Sequence, residues 1–239
     1  MKLTDLAVIL PAFIRCAAFL YAFPLTGDHY LPPKLRVALA AMIAIALAPS
    51  RLPDHVVALL PAEALLGFAA GFAARVVFAG VEAGGQLIGI SFGLGFAGQY
   101  DSTVSEEELP TRKLIRCLTA LAFFAGDGLQ LTFAALVRPP ATAATLTRAF
   151  ALLVDETGRV MVVGLRLAAP ALVAALVANV ASGIASRAAP TLNFFAVALS
   201  LVLVIGTIML LAVAPLTASE MALAARRVAD VVGRTLGVL

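Results

Sequence analysis

A few side chains capable of chemistry stand between long apolar runs, and the first pair to consider is Asp101 with Asp127. Two carboxylates that share one proton inside a membrane could hydrolyse a peptide bond. The pattern argues against this, because Phe124 stands where a glycine-x-glycine-aspartate motif needs its first glycine. Asp101 also opens an acidic loop rather than lying within an apolar run. The sequence therefore does not favour an intramembrane aspartyl hydrolase.

The other reactive residue types lack the spacing that catalysis or metal binding requires. His29 and His55 lie in polar loops without an HExxH pattern, and Cys16 and Cys117 lie in apolar stretches without a CxxC pattern. We find no glycine-rich loop of the phosphate-binding or dinucleotide-binding type. We therefore expect no enzyme activity, no catalytic residue, no metal and no cofactor.

Charged residues inside the apolar stretches are the more informative group. Each is costly in lipid, so each is expected to face protein, water or the membrane interface. They are Arg15, Glu63, Arg75, Glu82, Arg116, Asp127 and Arg166. An ion pathway and buried pairs between subunits are both open, and we favour pairs or wet surfaces, because no two of these carboxylates stand three or four residues apart.

The composition indicates that helices in a bilayer position these charges. Of 239 residues, 62% are hydrophobic and 13% are charged, and the mean hydropathy is +1.03. Soluble domains carry about 25% charged residues. The apolar runs are continuous and lack Trp, which favours helices over a membrane barrel. The net charge is +3, and the basic residues are scattered along the chain in runs of no more than two. We therefore expect contact with membrane lipid and not with nucleic acid.

We predict an all-α integral membrane protein with about six apolar segments, some of them kinked or folded as hairpins. Polar loops and prolines separate the segments. The predicted segments are Leu6–Leu25, Val37–Ala48, Val56–Gly98, Leu114–Val137, Val160–Ser186 and Leu192–Leu216, followed by a mildly amphipathic helical tail from Ser219. Between Pro140 and Val160 we expect a loop or an interfacial helix.

The third segment is too long for one straight span, and glycines are concentrated in it. We expect a hairpin or a sharp kink at Gly80–Gly85. Small residues also recur every four positions, which lets a neighbouring helix approach closely. The helix-packing ladder comprises Gly85, Gly89, Gly93 and Ala97, and further pairs are Gly67 with Gly71 and Gly80 with Gly84. The partner could be this chain itself or another subunit.

Two stretches resemble the family of the flagellar biosynthetic protein FliR and its injectisome counterparts. GVEAGGQLIGISFGLGFAGQYD, Gly80 to Asp101, is similar to the glycine-rich AGQ-x-I-G segment of that family. GIASRAAPTLNFFAV, Gly183 to Val197, is similar to its G-L-x-x-R-x-A-P-Q-L-N-x-F block. The Phe13–Ile14–Arg15 stretch and the run from Pro32 to Pro49 match more loosely. The order of the four matches extends the resemblance over nearly the whole chain.

The resemblance implies a structural subunit of the flagellar type III protein export gate. Such a subunit forms a channel for unfolded flagellar proteins with FliP-like and FliQ-like subunits, and FlhB- and FlhA-like components act on its cytoplasmic side. The implied location is the bacterial inner membrane, in the flagellar basal body. The implied organisation is one membrane-embedded domain, with a FliP-like part at about 1–155 and a FliQ-like helical hairpin at about 156–239.

The same resemblance implies two local sites. A pore-plugging loop would comprise Gln99, Tyr100, Asp101, Ser102, Thr103, Val104 and Ser105. A structural turn would comprise Arg187, Pro190 and Asn193, between two long apolar segments. An injectisome gate subunit is the alternative, and a small-molecule membrane transporter is a more distant one. The chain departs from the family at Ala125–Gly126–Asp127, where asparagine-glycine-histidine is common.

Overall fold

The computed structural model describes residues 3–26, 31–46, 56–92, 110–136, 142–188 and 194–237. Within these ranges the regular secondary structure is entirely α-helical, in agreement with the predicted class. The helices are α1 (Leu3–Ala22), α2 (Pro33–Ala46), α3 (Val56–Ser91), α4 (Pro110–Ala125), α5 (Gly128–Leu136), α6 (Ala143–Ala188) and α7 (Phe194–Thr235).

Local chemistry explains where three of these helices begin. Pro33 and Pro110 are the first residues of α2 and α4, the position where the missing N–H of proline costs nothing. At the start of α6 the backbone N–H of Thr145 donates to Thr142 Oγ1 at 3.2 Å, and the N–H of Thr142 donates to Thr145 Oγ1 at 2.8 Å. This reciprocal cap satisfies two donors that the first turn would otherwise leave without partners.

The chain divides into two compact units. The first contains Met1–Phe78, Ala122–Arg159 and Ala224–Leu239. Its core includes an aromatic cluster in which the Phe123 ring lies 5.9 Å from the Phe23 ring and 6.4 Å from the Phe78 ring, measured between centroids. Phe23 directly follows the end of α1, whereas Phe78 lies in α3 and Phe123 in α4, so the cluster joins the end of α1 to these two helices.

The second unit contains Ala79–Leu121 and Val160–Leu223. In it α3 and α6 cross with their backbones in near contact. A Cβ atom added at Gly84 would lie 2.8 Å from the carbonyl oxygen of Gly164, and one added at Gly164 would lie 2.8 Å from the carbonyl oxygen of Gly80. Real Cβ atoms do not approach this closely, so the crossing depends on glycine from both helices.

Among the described residues, two helical stretches are long and apolar enough to cross a membrane: Leu59–Ser91 and Ala143–Ala181. The bent pair Thr111–Ala125 and Gly128–Leu136 would make a third if it is a single span, and Ile9–Ala22 is a shorter apolar helix. A membrane-spanning helical protein is therefore supported, whereas the predicted count of about six segments is not confirmed.

Of the hairpin or sharp kink predicted at Gly80–Gly85, the hairpin is wrong. Helix α3 continues through these glycines and contains 36 residues, which corresponds to a length of about 54 Å at about 1.5 Å per residue. Membrane helices tolerate glycine, because in lipid the backbone N–H and C=O groups must stay hydrogen-bonded within the protein. The glycines serve close contact with α6 and do not break the helix.

The fourth predicted segment is two helices. The break lies at Gly126–Asp127, and the axis bends there by 69°. Asp127 has a φ of 58°, a left-handed conformation that aspartate tolerates better than most residues. The sequence did not predict this break, because a bent pair of helices and one straight helix can have the same hydropathy.

Two other boundaries differ from the prediction. Helix α6 starts at Ala143, so a helix occupies most of the region where a loop was the alternative, and the residues there are good helix formers behind the Thr142 cap. Helix α7 runs from Phe194 to Thr235 with Pro215 inside it. The sixth segment and the amphipathic tail are therefore one helix.

Candidate packing site of paired charges and glycines

Arg15 of α1 and Glu63 of α3 form an ion pair within the first unit. Arg15 Nε donates to Glu63 Oε2 at 2.6 Å, and the side chains are 5% and 1% exposed. Arg15 Nη1 also donates to the carbonyl oxygen of Leu136 at 3.2 Å. Leu136 is the last residue of α5, and the backbone carbonyls in the last turn of a helix accept no hydrogen bond from within that helix. One arginine therefore fixes α1 against both α3 and α5.

Glycines continue this contact along the same face of α3. Gly67 and Gly71 follow Glu63 at intervals of four residues, so the three lie in one row on the helix. A Cβ atom at Gly67 would collide with the carbonyl oxygen of Arg15, and one at Gly71 would lie 2.5 Å from the carbonyl oxygen of Phe19. The glycines bring the backbones together, which in turn brings the arginine within reach of the carboxylate.

Glu82 of α3 forms a second cluster with two arginines of α4, in the second unit. Arg112 Nη2 lies 2.9 Å from Glu82 Oε2, and Arg116 Nε lies 2.7 Å from Glu82 Oε1. Both oxygens of the carboxylate are thus engaged. One turn further along α3, a Cβ atom at Gly85 would lie 3.2 Å from Arg112 Cα and 3.0 Å from Ile115 Cδ1. Charge pairing and close approach again occur together.

Glu156 of α6 is the centre of a third cluster, in the first unit. Its side chain is 6% exposed, and its Oε2 lies 3.2 Å from Arg227 Nε of α7. Arg159 Nη1 lies 3.6 Å from Glu156 Oε1. Sequence reasoning did not single out Glu156, because the region was interpreted as a loop or an interfacial helix. The available signal was the spacing of Glu156 and Arg159, which is that of neighbours on a helix.

At least four of the seven charges singled out in apolar stretches are paired within this chain: Arg15, Glu63, Glu82 and Arg116. Pairing was the interpretation we favoured, but the partners belong to the same chain. The sequence did not reveal which charges pair. A signal was present in the row Glu63, Gly67 and Gly71, since its spacing of four residues matches the spacing of Arg15 and Phe19 on α1.

The remaining predicted site residues are only partly described. Gly89 is buried in α3, and Arg187 lies exposed in the last turn of α6. The plug loop Gln99–Ser105, two ladder residues (Gly93 and Ala97) and two turn residues (Pro190 and Asn193) lie outside the described residues. The ladder, the plug and the turn therefore stay predictions.

The described residues hold no group of three or more metal-ligand side chains. Asp127 is exposed at the bend between α4 and α5. Each of the three clusters consists of a glutamate carboxylate in contact with at least one guanidinium group, an arrangement that positions helices.

Comparison with known proteins identifies relatives over most of the chain. The family model for bacterial export proteins, family 1, matches residues 6–227. The chain is 30% identical over 219 residues to flagellar biosynthetic protein FliR of Escherichia coli strain K12, covering 86% of this chain and 83% of that protein. It is 28% identical over 226 residues to the protein of that name from Aquifex aeolicus, covering 88% and 86%. The protein of that name from Pectobacterium carotovorum is 28% identical over 216 residues, covering 85% and 83%.

Proposed function

We propose, on the premise that this chain belongs to the bacterial export proteins of family 1, that it forms a channel for unfolded flagellar proteins together with FliP-like and FliQ-like subunits. The relatives support a membrane-embedded, structural component of the flagellar export apparatus that associates with other parts of that apparatus. The proposal adds the composition of the channel, its cargo and its location in the inner membrane. FlhB- and FlhA-like components would act on its cytoplasmic side.

The observation that carries the proposal is the contrast between the two membrane-spanning stretches. In Leu59–Ser91, 67% of the most apolar window is buried inside the protein, whereas in Ala143–Ala181 only 28% is buried. Large apolar side chains such as Val173, Leu176 and Val177 of α6 are more than half exposed. So much uncovered apolar surface on one helix suits contact with the apolar helices of other subunits as well as with lipid, which supports the proposed assembly.

Two further proposals rest on the resemblance. Gln99–Ser105 would plug the closed pore, although this loop lies outside the described residues. The FliP-like and FliQ-like parts would meet near residues 155 and 156, which lie inside the continuous helix α6. A fusion of two subunit types through one long helix is compatible with that position.

Co-expression tests the proposed assembly. The chain is produced with FliP-like and FliQ-like subunits from the same genome, with an affinity tag on this chain alone. We expect a detergent-stable complex with all three proteins, together with restored motility in a strain that lacks its own copy of this subunit. Recovery of a well-behaved monomer without partners, under conditions where the partners are expressed, would contradict the proposal.

A further inference from the structure

We propose that a groove between the first turns of α6 and the end of α7 binds the phosphate group of an anionic phospholipid. The groove has a volume of about 400 Å³ and lies within the first unit. Arg148, Ala151 and Leu152 line it from α6, and Arg234 and Gly237 line it from the end of α7. Its lining thus combines two arginines with the apolar residues Ala151 and Leu152.

The two helical segments that line this groove carry more positive than negative side chains. Residues 142–159 and 224–237 carry five arginines and three carboxylates. Each carboxylate pairs with an arginine: Asp155 with Arg159 at 2.7 Å, Glu156 with Arg227 at 3.2 Å and Asp230 with Arg234 at 3.1 Å.

Two arginines in these ranges make no ion pair within the described part of the chain, namely Arg148 and Arg226. Both are exposed. Of the two, Arg148 lines the groove and Arg226 does not. Counting the described residues alone, the groove therefore holds one cation without an anionic partner, Arg148, and a second cation, Arg234, that pairs with an exposed carboxylate of its own helix.

A lipid phosphate fits this site better than other anions. Planar guanidinium groups match phosphate oxygens in paired hydrogen bonds, and two of them can hold one phosphate. Arg148 lies in the first turns of the apolar stretch Ala143–Ala181, where a membrane-spanning helix enters the headgroup region. Basic pockets between membrane helices commonly hold anionic headgroups. Ala151 and Leu152 offer apolar contact beside the phosphate, which a free ion could not use.

The test uses the full chain, purified in detergent with whatever partners remain bound. Short-chain phosphatidylglycerol is titrated in, and its apparent affinity is read from the rise in unfolding temperature. Arg148→Gln should weaken binding about tenfold, the loss expected for one charge-assisted contact. Arg226→Gln is the matched control and should bind like the wild type. Arg148→Lys, which keeps the charge but loses the planar fork, should give a smaller loss.

Four results would overturn the proposal. Equal stabilisation by phosphatidylcholine would show that the headgroup charge is not recognised. Equal stabilisation by inorganic phosphate at the same concentration would point to a free anion. Unchanged phosphatidylglycerol affinity in Arg148→Gln would remove the groove from lipid binding, and loss of a co-purifying protein in that variant would identify the groove as a protein interface. Since Arg148 is exposed and makes no ion pair with any residue that the structure describes, its variants should unfold in phosphatidylcholine at the wild-type temperature.

Discussion

Glu63 carries the strongest single prediction at the scale of residues. Glu63→Gln leaves the Arg15 guanidinium buried beside a neutral amide. Removing one partner of a buried pair costs about 3–5 kcal/mol, so we expect a large fall in the unfolding temperature of the detergent-solubilised protein. The measurement is thermal unfolding followed by size-exclusion chromatography.

Asp230→Asn provides the matched control, because it also removes a carboxylate that accepts from an arginine. Its partner is Arg234, and the two side chains are 39% and 51% exposed. Exposed pairs contribute at most about 1 kcal/mol, so this variant should unfold near the wild-type temperature. If Glu63→Gln lowered the unfolding temperature as little as Asp230→Asn, water would have to reach the Arg15 guanidinium. The ion pair would then not hold α1 and α3 together as its geometry indicates.

At the scale of elements, the α1–α3 contact depends on glycine, and this can be tested by adding a single methyl group. Gly67→Ala would drive a Cβ atom into the carbonyl of Arg15. Overpacking of this kind costs about 1–3 kcal/mol, and here it also strains the adjacent ion pair. We expect a lower unfolding temperature and less protein in the membrane, measured by immunoblot.

The control for that experiment is Gly158→Ala in α6. An added Cβ atom there meets nothing within 4 Å, and alanine stabilises an exposed helix interior by about 0.5–1 kcal/mol relative to glycine. The two identical substitutions should therefore act in opposite directions. Two losses of similar size would mean that any alanine in these helices is harmful, and the close approach at Gly67 would not be the cause.

The same elements show what the sequence could and could not predict. Continuous apolar runs identified the helices, because burying backbone polar groups in lipid requires them. The runs did not identify the helix boundaries. The glycines of Gly80–Gly85 indicated a hairpin or a sharp kink, whereas α3 continues through them and they mediate contact with α6 and α4. The real break, at Gly126–Asp127, depends on one left-handed aspartate. Among the site residues, the sequence marked Arg15 and Glu63 as unusual but could not pair them, since their proximity depends on the fold.

At the scale of the whole molecule, the role of the proposed plug can be tested separately from the packing of the two helices that flank it, α3 and α4. The Glu82 cluster and the contact of Gly85 with Ile115 hold α3 and α4 together without the segment between them. Deleting Ser102–Glu108 should therefore leave the assembly intact but make the membrane leaky to small ions. The measurement is dye or ion efflux from cells that express the full gate. A tight membrane with normal export would show that the segment is only a linker. Failure to assemble would show that the segment has a structural role.

The row Glu63, Gly67 and Gly71 also has a consequence for motion during secretion. Sliding α1 along α3 by one turn would move Arg15 about 5.4 Å from its carboxylate and drive backbone into backbone. These two helices should therefore move as one rigid body, so that any opening of a pore is left to other helices. Spin labels at Tyr21 and Phe72, both exposed, in a chain with Cys16 and Cys117 replaced by alanine, should report the same distance in idle and substrate-filled complexes. A distance that lengthens on filling would mean that the gate opens by shearing α1 past α3.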